Sequence, residues 1–332
     1  MPFTGKKPGA EPPERHTVKV LIVPKYEIGN IEGGFPGEAQ LFYEHYCAGC
    51  RELIIPHMPP SAHFRYNKEN AVGLLLTGAG KTAAGLSMMA LLSAKDYDFS
   101  DTVIISVGCA GGSTGTCVYG DVVLVTAACD LELGHHTGRL ELQDPARGLT
   151  WFPDDTSFLD YKCKMLNPEL YEKAYSLVKD CPLRTTEKSK QVLAENFPGK
   201  QWAERAPRVL KGTAVTADSY WKGREDHDNA AAAAEHYRCP DKYAVSDMEE
   251  IALMNAAACF GLQDRVVSIR VVVNLDTFLK GESPELLWNK DQDYDKKLSE
   301  DNSETLDIFR PGMENLFDVG RILIDAALAE RL

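Results

Sequence analysis

The sequence predicts an α/β fold, one domain with a central sheet flanked by helices, from three observations. Short runs rich in Val, Ile and Leu recur along the chain, helix-like segments fall between them, and 332 residues can bury one sizeable core.

The strand candidates are 18–23, 71–77, 102–107, 121–128, 208–216, 243–247 and 265–273. Their nearly continuous apolar character is that of strands covered on both faces by helices. The helix candidates are 38–48, 82–94, 168–179, 225–237, 248–260 and 313–330. Pro168 falls at a first-turn position after Asn167, and the alanines at 230–234 suit a helix with close-packed neighbours. Residues 1–17, with four prolines, read as a flexible N-terminal tail, and 18–332 as the domain. Within it, 144–207 and 277–312 are charged, break the alternation and read as insertions or lids.

The 36 basic and 49 acidic residues give a net charge of -13 without a basic tract, which disfavours nucleic acid and anionic membranes as partners. The longest low-polarity stretch, 71–94, contains glycines and Lys81 and changes period halfway, so it reads as a strand followed by a helix rather than a membrane span. The nine cysteines are scattered and odd in number, as expected of reduced, buried thiols in a cytoplasmic protein. Cys47 and Cys50 form a C-x-x-C pair near His45 and His57, but no second pair follows at zinc-ribbon spacing.

The segment "LLLTGAGKTAAG" (74–85) imitates a phosphate-binding loop. Gly80, Lys81 and Thr82 match the end of G-x-x-x-x-G-K-[ST], but Leu75 stands where the first glycine is needed. A strand, a tight Gly78-Ala79-Gly80 turn and a helix remain, with Lys81 as a solvated helix-start residue.

In open α/β sheets ligands bind beyond the carboxyl ends of strands, and four such ends carry unusual residues. They are "SVGCAGGSTG" (106–115), with backbone amides exposed by glycines; "GTAVTADSYWKG" (212–223), with Asp218, Tyr220 and Trp221; "VSDMEE" (245–250); and "VVVNLD" (271–276). Each has a structural alternative: Asp247 as a helix N-cap, Glu249 and Glu250 as partners of a helix dipole, Tyr220 and Trp221 as core, the glycines as a turn.

Taken in order, the opening strand and "TGAGKTAAG", "VGCAGG", "GDVVLV", "GTAVTADSYW", "DMEE" and "RVVVNLD" resemble the purine nucleoside permease family, a branch of the nucleoside phosphorylase and nucleosidase superfamily. The resemblance implies a central mixed β-sheet of the nucleoside phosphorylase type. It also implies that Met248 and Glu249 face the ribose, that Tyr220 stacks on the base and that the Trp221 backbone addresses the base edge. Asn274 falls where nucleosidases donate to purine N7, and Asp276 is a second candidate for that proton. Cys109 takes the place of a ligand-contacting serine, beside Ala110 and Gly111, and Asp218 lies in the segment that meets the base. His135 and His136 lie in a segment that in related enzymes reaches the 5′ end of the sugar, sometimes from a neighbouring subunit, which implies a homo-oligomer; His136 is the candidate.

The nucleophile divides the superfamily. Ser106 stands where phosphorylases place an arginine, and the loop after the first strand has no arginine but carries Glu27, Glu32 and Glu38. Glu38 opens a helix as the water-activating glutamate of methylthioadenosine nucleosidases does, and its structural alternative is a first-turn glutamate favoured by the helix dipole. The expectation is therefore a purine nucleosidase acting on a purine nucleoside such as inosine or guanosine, without metal or organic cofactor. Phosphate-dependent cleavage and non-catalytic nucleoside binding are the alternatives.

Overall fold

A computed structural model describes residues 15–27, 30–33, 36–133, 135–137, 149–151, 161–282 and 303–332. Its main sheet has ten strands. In chain order they are β1 (Val20–Val23), β2 (Glu52–Leu53), β3 (His63–Asn67), β4 (Val72–Leu76), β5 (Val103–Gly112), β6 (Val122–Asp130), β7 (Cys163–Met165), β8 (Val209–Thr216), β9 (Tyr243–Asp247) and β10 (Val266–Leu275). Among the described residues the α-helices are α1 (Gln40–Phe42, widening into a π-type turn over Tyr43–Cys47), α2 (Lys81–Leu92), α3 (Pro168–Val178), α4 (Glu187–Asn196), α5 (Arg224–His236), α6 (Glu250–Cys259) and α7 (Ser303–Leu328), with a 3-10 turn at Gln263–Arg265.

The hydrogen-bonded order is β7-β6-β8-β9-β5-β1-β4-β3-β2, and β10 pairs with both β5 and β6. Strands β5, β9, β8, β6 and β10 thus close a ring, joined by parallel and antiparallel pairs. The sheet is mixed, as the resemblance implies. Val20, Leu21, Ile22 and Val23 are all fully buried, as are Val122 to Val125, so these strands have helix or sheet on both faces. Each such side chain contributes about 1.5–3 kcal/mol relative to exposure.

Helix α3 begins as its sequence suggests: Asn167 accepts the Glu169 N–H at 3.0 Å and Pro168 occupies the first turn. Helix α7 packs against β10 and β5, starts ten residues earlier than expected and carries Pro311 inside it. No described helix is long and apolar enough to cross a membrane.

Two local features differ from the sequence expectation and bear on the site. The glycine segment after the third predicted strand is not a loop: β5 continues to Gly112, with Val271 opposite Cys109 and Asn274 opposite Gly111. Any side chain at Gly112 would lie 2.6 Å from Val272 and 2.9 Å from Cys117, so glycine there permits close strand packing. Lys81 is not a solvated residue either: its ammonium donates to Asp130 at 3.0 Å and to Glu132 at 2.8 Å.

Candidate active site

The segment leaving β1 doubles back so that two glutamates take separate tasks. Glu27 accepts the N–H groups of Gly37, Ala39 and Gln40 at 2.7, 3.0 and 2.7 Å, which satisfies the otherwise open start of α1. Glu38 is thereby released from the helix-start role that was its structural alternative. Its carboxylate accepts the N–H groups of Lys25 at 2.8 Å, Tyr26 at 3.1 Å and Cys109 at 2.7 Å, and it is 4% exposed. Glu32 is exposed. Of the three candidate bases, Glu38 is the one held against the carboxyl end of β5.

Glu249 lies beyond the end of β9, at the start of α6, and is 8% exposed. It accepts the Gly80 N–H at 2.8 Å, and Gly80 has φ +90°, a left-handed conformation that aims this amide inward. Burial, reinforced by the charges of Asp247 and Glu38, pushes the Glu249 carboxyl up to about 7, while the Gly80 bond opposes the shift. The Gly-Lys-Thr turn therefore serves the site through one backbone amide. The same turn is pinned by Asp218, which accepts the Lys81 N–H at 2.7 Å, while the Asp218 N–H donates to Glu132 at 2.7 Å.

Below these carboxylates lies a buried ionic network. Arg270, fully buried in the middle of β10, donates to Glu250, and to Asp247 at 3.3 Å. Lys25, 2% exposed, donates to Ser106 Oγ at 2.5 Å and to the Val107 carbonyl at 3.0 Å, and its ammonium lies 3.9 Å from Glu250. Ser106 in turn donates to Glu250 at 2.7 Å. Burial, followed by the neighbouring Arg270 charge, lowers Lys25 to about 8. Burial alone would raise Glu250, but Arg270 and Lys25 hold it below its usual range. Asp247 also accepts the Thr216 hydroxyl at 2.7 Å and the Glu249 and Glu250 N–H groups at 3.2 Å, capping α6. Removing one partner from such a network would leave an uncompensated buried charge, at a cost of about 3–5 kcal/mol.

At the other end of the site, the Asn274 amide donates to Tyr220 Oη at 3.4 Å. A side chain on Gly111 would come within 3.0 Å of that amide and 2.6 Å of Ser246 Oγ. Tyr220 is 56% exposed on the segment after β8, whereas the Trp221 ring packs toward Tyr243 with centroids 6.3 Å apart. Cys109 is partly buried, and burial together with the adjacent Glu38 carboxylate raises its thiol well above the ordinary value, so the sulfur faces the site as a neutral thiol. Ala110 is buried at 5% exposure and Met248 is half-buried. His136 lies on the His135–Thr137 strand, and its side chain is outside the described residues.

Asp276 stands apart from the other candidates. It is fully buried and accepts the Thr114 N–H at 3.0 Å and the Tyr243 hydroxyl at 2.8 Å, with His227 Nδ1 also at 2.8 Å. The hydrogen bond to Asp276 raises the His227 pKa above 6.5. This carboxylate ties β10 to β9 and α5, and Asn274, two residues earlier, is the one beside Tyr220.

Four residues legible in the sequence, Glu38 just before α1, Glu249 at the start of α6, Tyr220 after β8 and Asn274 near the end of β10, lie around the carboxyl end of β5, where Glu38 meets Cys109 and Asn274 stands opposite Gly111 and beside Tyr220. Sequence reading missed Lys25, Glu250 and Arg270 as a unit. The available signal was Arg270 itself, a lone charge inside "VVSIRVVV" that a buried strand accommodates only when paired.

The profile of the purine nucleoside permease family matches residues 17–330. A probable purine nucleoside permease of Schizosaccharomyces pombe is 24% identical over 172 residues, covering 47% of this chain and 49% of that protein, so the match spans about half of the curated relative. A 5′-methylthioadenosine/S-adenosylhomocysteine nucleosidase from Neisseria meningitidis, solved with methylthio-immucillin-A, has a TM-score of 0.52 at 16% identity, covering 96% of this chain and 100% of that one. The corresponding Helicobacter pylori nucleosidase reaches 0.55 at 11% identity, covering 96% and 100%. Futalosine hydrolase of the same organism reaches 0.54 at 11% identity, covering 95% and 98%. At these identities the likeness to solved structures is one of fold. The family profile spans nearly the whole chain, and the protein belongs to the purine nucleoside permease family.

Proposed function

We propose that the protein is a purine nucleosidase, cleaving the N-glycosidic bond of a nucleoside such as inosine or guanosine with water. The observation that carries this reading is the pairing of two buried carboxylates in different electrostatic settings. Glu38 is held by three backbone N–H groups, and Glu249 is pushed up to about 7. Two carboxyls in unlike environments suit acid–base and cation-stabilising roles.

In this reading Glu38 takes the proton of a water poised between it and the anomeric carbon. Glu249 accepts hydrogen bonds from the ribose 2′- and 3′-hydroxyls, which strengthen as the sugar becomes cationic. Tyr220 covers the base, and the Asn274 amide addresses the base edge. As the electrons of the C–N bond pass to the base, the water oxygen bonds to C1′ and one water proton goes to Glu38; the departing purine anion takes up a proton from solvent and Glu38 returns its own to solvent, giving neutral base, ribose and the starting carboxylate. Phosphate is disfavoured as nucleophile because Lys25 and Arg270 are already committed to Ser106, Glu250 and Asp247. The fold shared with nucleosidases supports the same reading. Assembly into a homo-oligomer belongs to the proposal as well, with 144–207 and 277–312 as the insertions that distinguish the chain.

A panel of nucleosides incubated with and without phosphate and analysed by chromatography tests this. Free base and ribose in both conditions is the expected result. Ribose 1-phosphate formed only with phosphate would replace hydrolysis by phosphorolysis. Tight calorimetric binding without base release over hours would leave a nucleoside-binding protein assisting uptake, the role that the family's name suggests.

A further inference from the structure

Three cysteines from three separate elements converge at the β7 edge of the sheet. Cys129 on β6 and Cys163 on β7 are directly opposed in the antiparallel register, and Cys239 follows the end of α5. Their sulfurs lie 3.0, 3.4 and 3.8 Å apart. The two shorter separations are closer than neutral sulfurs rest in van der Waals contact. The cluster lies across β6 from the neighbouring Asp130 side chain, because successive strand residues point to opposite faces.

The backbone sets this geometry. The strand register fixes Cys129 against Cys163. Cys239 is turned back by a helix-ending motif in which its N–H donates to the Ala234 carbonyl at 3.0 Å. Arg238 in that turn adopts φ 52°, the left-handed conformation usually left to glycine, and without it Cys239 would point elsewhere. No other group of three or more metal-ligating side chains occurs among the described residues.

We infer that Cys129, Cys163 and Cys239 form a binding site for one thiophilic metal ion of the Zn²⁺ or Cu⁺ class. A tetrahedral ion with Zn–S bonds of about 2.3 Å places its sulfurs about 3.75 Å apart. The 3.8 Å edge has this length already, and the 3.0 and 3.4 Å edges need to open by about 0.75 and 0.35 Å. Soft thiolate donors select these ions over Mg²⁺ or Ca²⁺. Cys129 is buried while Cys163 and Cys239 are partly exposed, which gives the ion a path in and leaves a fourth position toward water. On binding, the three thiols lose three protons to solvent and form three metal–sulfur bonds, without any redox change. The ion would join β6, the short β7 and the end of α5, a link between segments 34 to 110 residues apart.

The test uses the full chain, reduced and stripped of metal by a chelator under anaerobic conditions. It is then loaded separately with Zn²⁺, with Cu⁺ or with Co²⁺ as an optical probe. After gel filtration, elemental analysis should find one Zn²⁺ or one Cu⁺ per chain, and Co²⁺ should give an intense thiolate charge-transfer band. Cys163→Ser and Cys239→Ser should each weaken binding at least roughly tenfold, with circular dichroism confirming the fold, whereas exposed Cys259→Ser should bind normally. X-ray absorption of the loaded wild type should count three sulfur ligands, which keeps the test valid if a variant does not fold. Failure of all three ions to bind the reduced protein, or undiminished binding by folded Cys163→Ser and Cys239→Ser, would overturn the inference. So would a Cys129–Cys163 disulfide in the isolated protein with no metal uptake after its reduction.

Discussion

The Glu38 carboxylate accepts the backbone N–H of Cys109 at 2.7 Å, joining residues 71 positions apart. This contact places a buried acid at the carboxyl end of β5, where the fold delivers its other candidate groups. Because Glu27 rather than Glu38 satisfies the start of α1, substitution at Glu38 separates chemistry from helix stability. Glu38→Gln keeps the size and the acceptor oxygen but loses the base. Steady-state kinetics on inosine should show kcat reduced at least about 100-fold with KM little changed. A variant with wild-type kcat would remove Glu38 from the reaction.

Glu249 ties activity and stability to pH with opposite signs. Its folded-state pKa is raised from 4.5 to about 7, and the ionised form is the one that receives the ribose hydroxyls. kcat/KM should therefore rise with pH up to about 7 and then level off, and Glu249→Gln should abolish that limb and cost at least about tenfold.

For stability, the folded state holds the Glu249 proton more tightly than the unfolded chain. Its contribution is fully present below 4.5 and is lost as pH rises through about 7. Thermal unfolding at pH 8 should find Glu249→Gln more stable than wild type, by up to about 3 kcal/mol, with the difference vanishing near pH 4. Equal stabilities at both pH values would contradict the burial-driven shift.

Asp276 should behave as a positioning residue. Asp276→Asn weakens its bonds to Thr114, Tyr243 and His227, with an expected loss of about 1.5–3 kcal/mol in denaturant unfolding. His227 has a pKa raised above 6.5 by this carboxylate, so its stabilisation is complete below 6.5 and is lost as pH rises through the raised value. That pH dependence should disappear in Asp276→Asn. A selective collapse of kcat at unchanged stability would instead make Asp276 the proton donor.

Tyr220 is exposed and sits 3.4 Å from the Asn274 amide, so truncation should cost binding and not folding. Tyr220→Ala should raise KM for purine nucleosides by roughly fivefold to tenfold, about 1 kcal/mol. Its melting temperature should stay near wild type, as for other exposed substitutions. Unchanged KM would show that the ring does not meet the base.

The sequence announces the inner sheet strands clearly because their burial on both faces writes continuous apolar runs. Strands β2 and β3 escape notice since "EL" and "HFRYN" are short and mostly polar, and α4 hides inside a charged segment. The glycine run 108–112 reads as a loop when judged by local preference, yet tertiary packing keeps it in the ladder. Residues at four strand ends can be named because fold topology gathers such ends. The Lys25–Glu250–Arg270 network and the three-cysteine cluster depend on pairings across long sequence separations, which carry no local pattern. Lys81 illustrates the same gap: it resembles a phosphate ligand, but Asp130 and Glu132, 49 and 51 residues away, occupy its charge.

The central claim is hydrolysis assisted by Glu38. The most direct measurement is the release of hypoxanthine and ribose from inosine in phosphate-free buffer by the wild type and Glu38→Gln. Equimolar release by the wild type, slowed at least about 100-fold in the variant, is the predicted result. A strict phosphate requirement with ribose 1-phosphate as product, or no release by a wild type that binds inosine tightly, would contradict it.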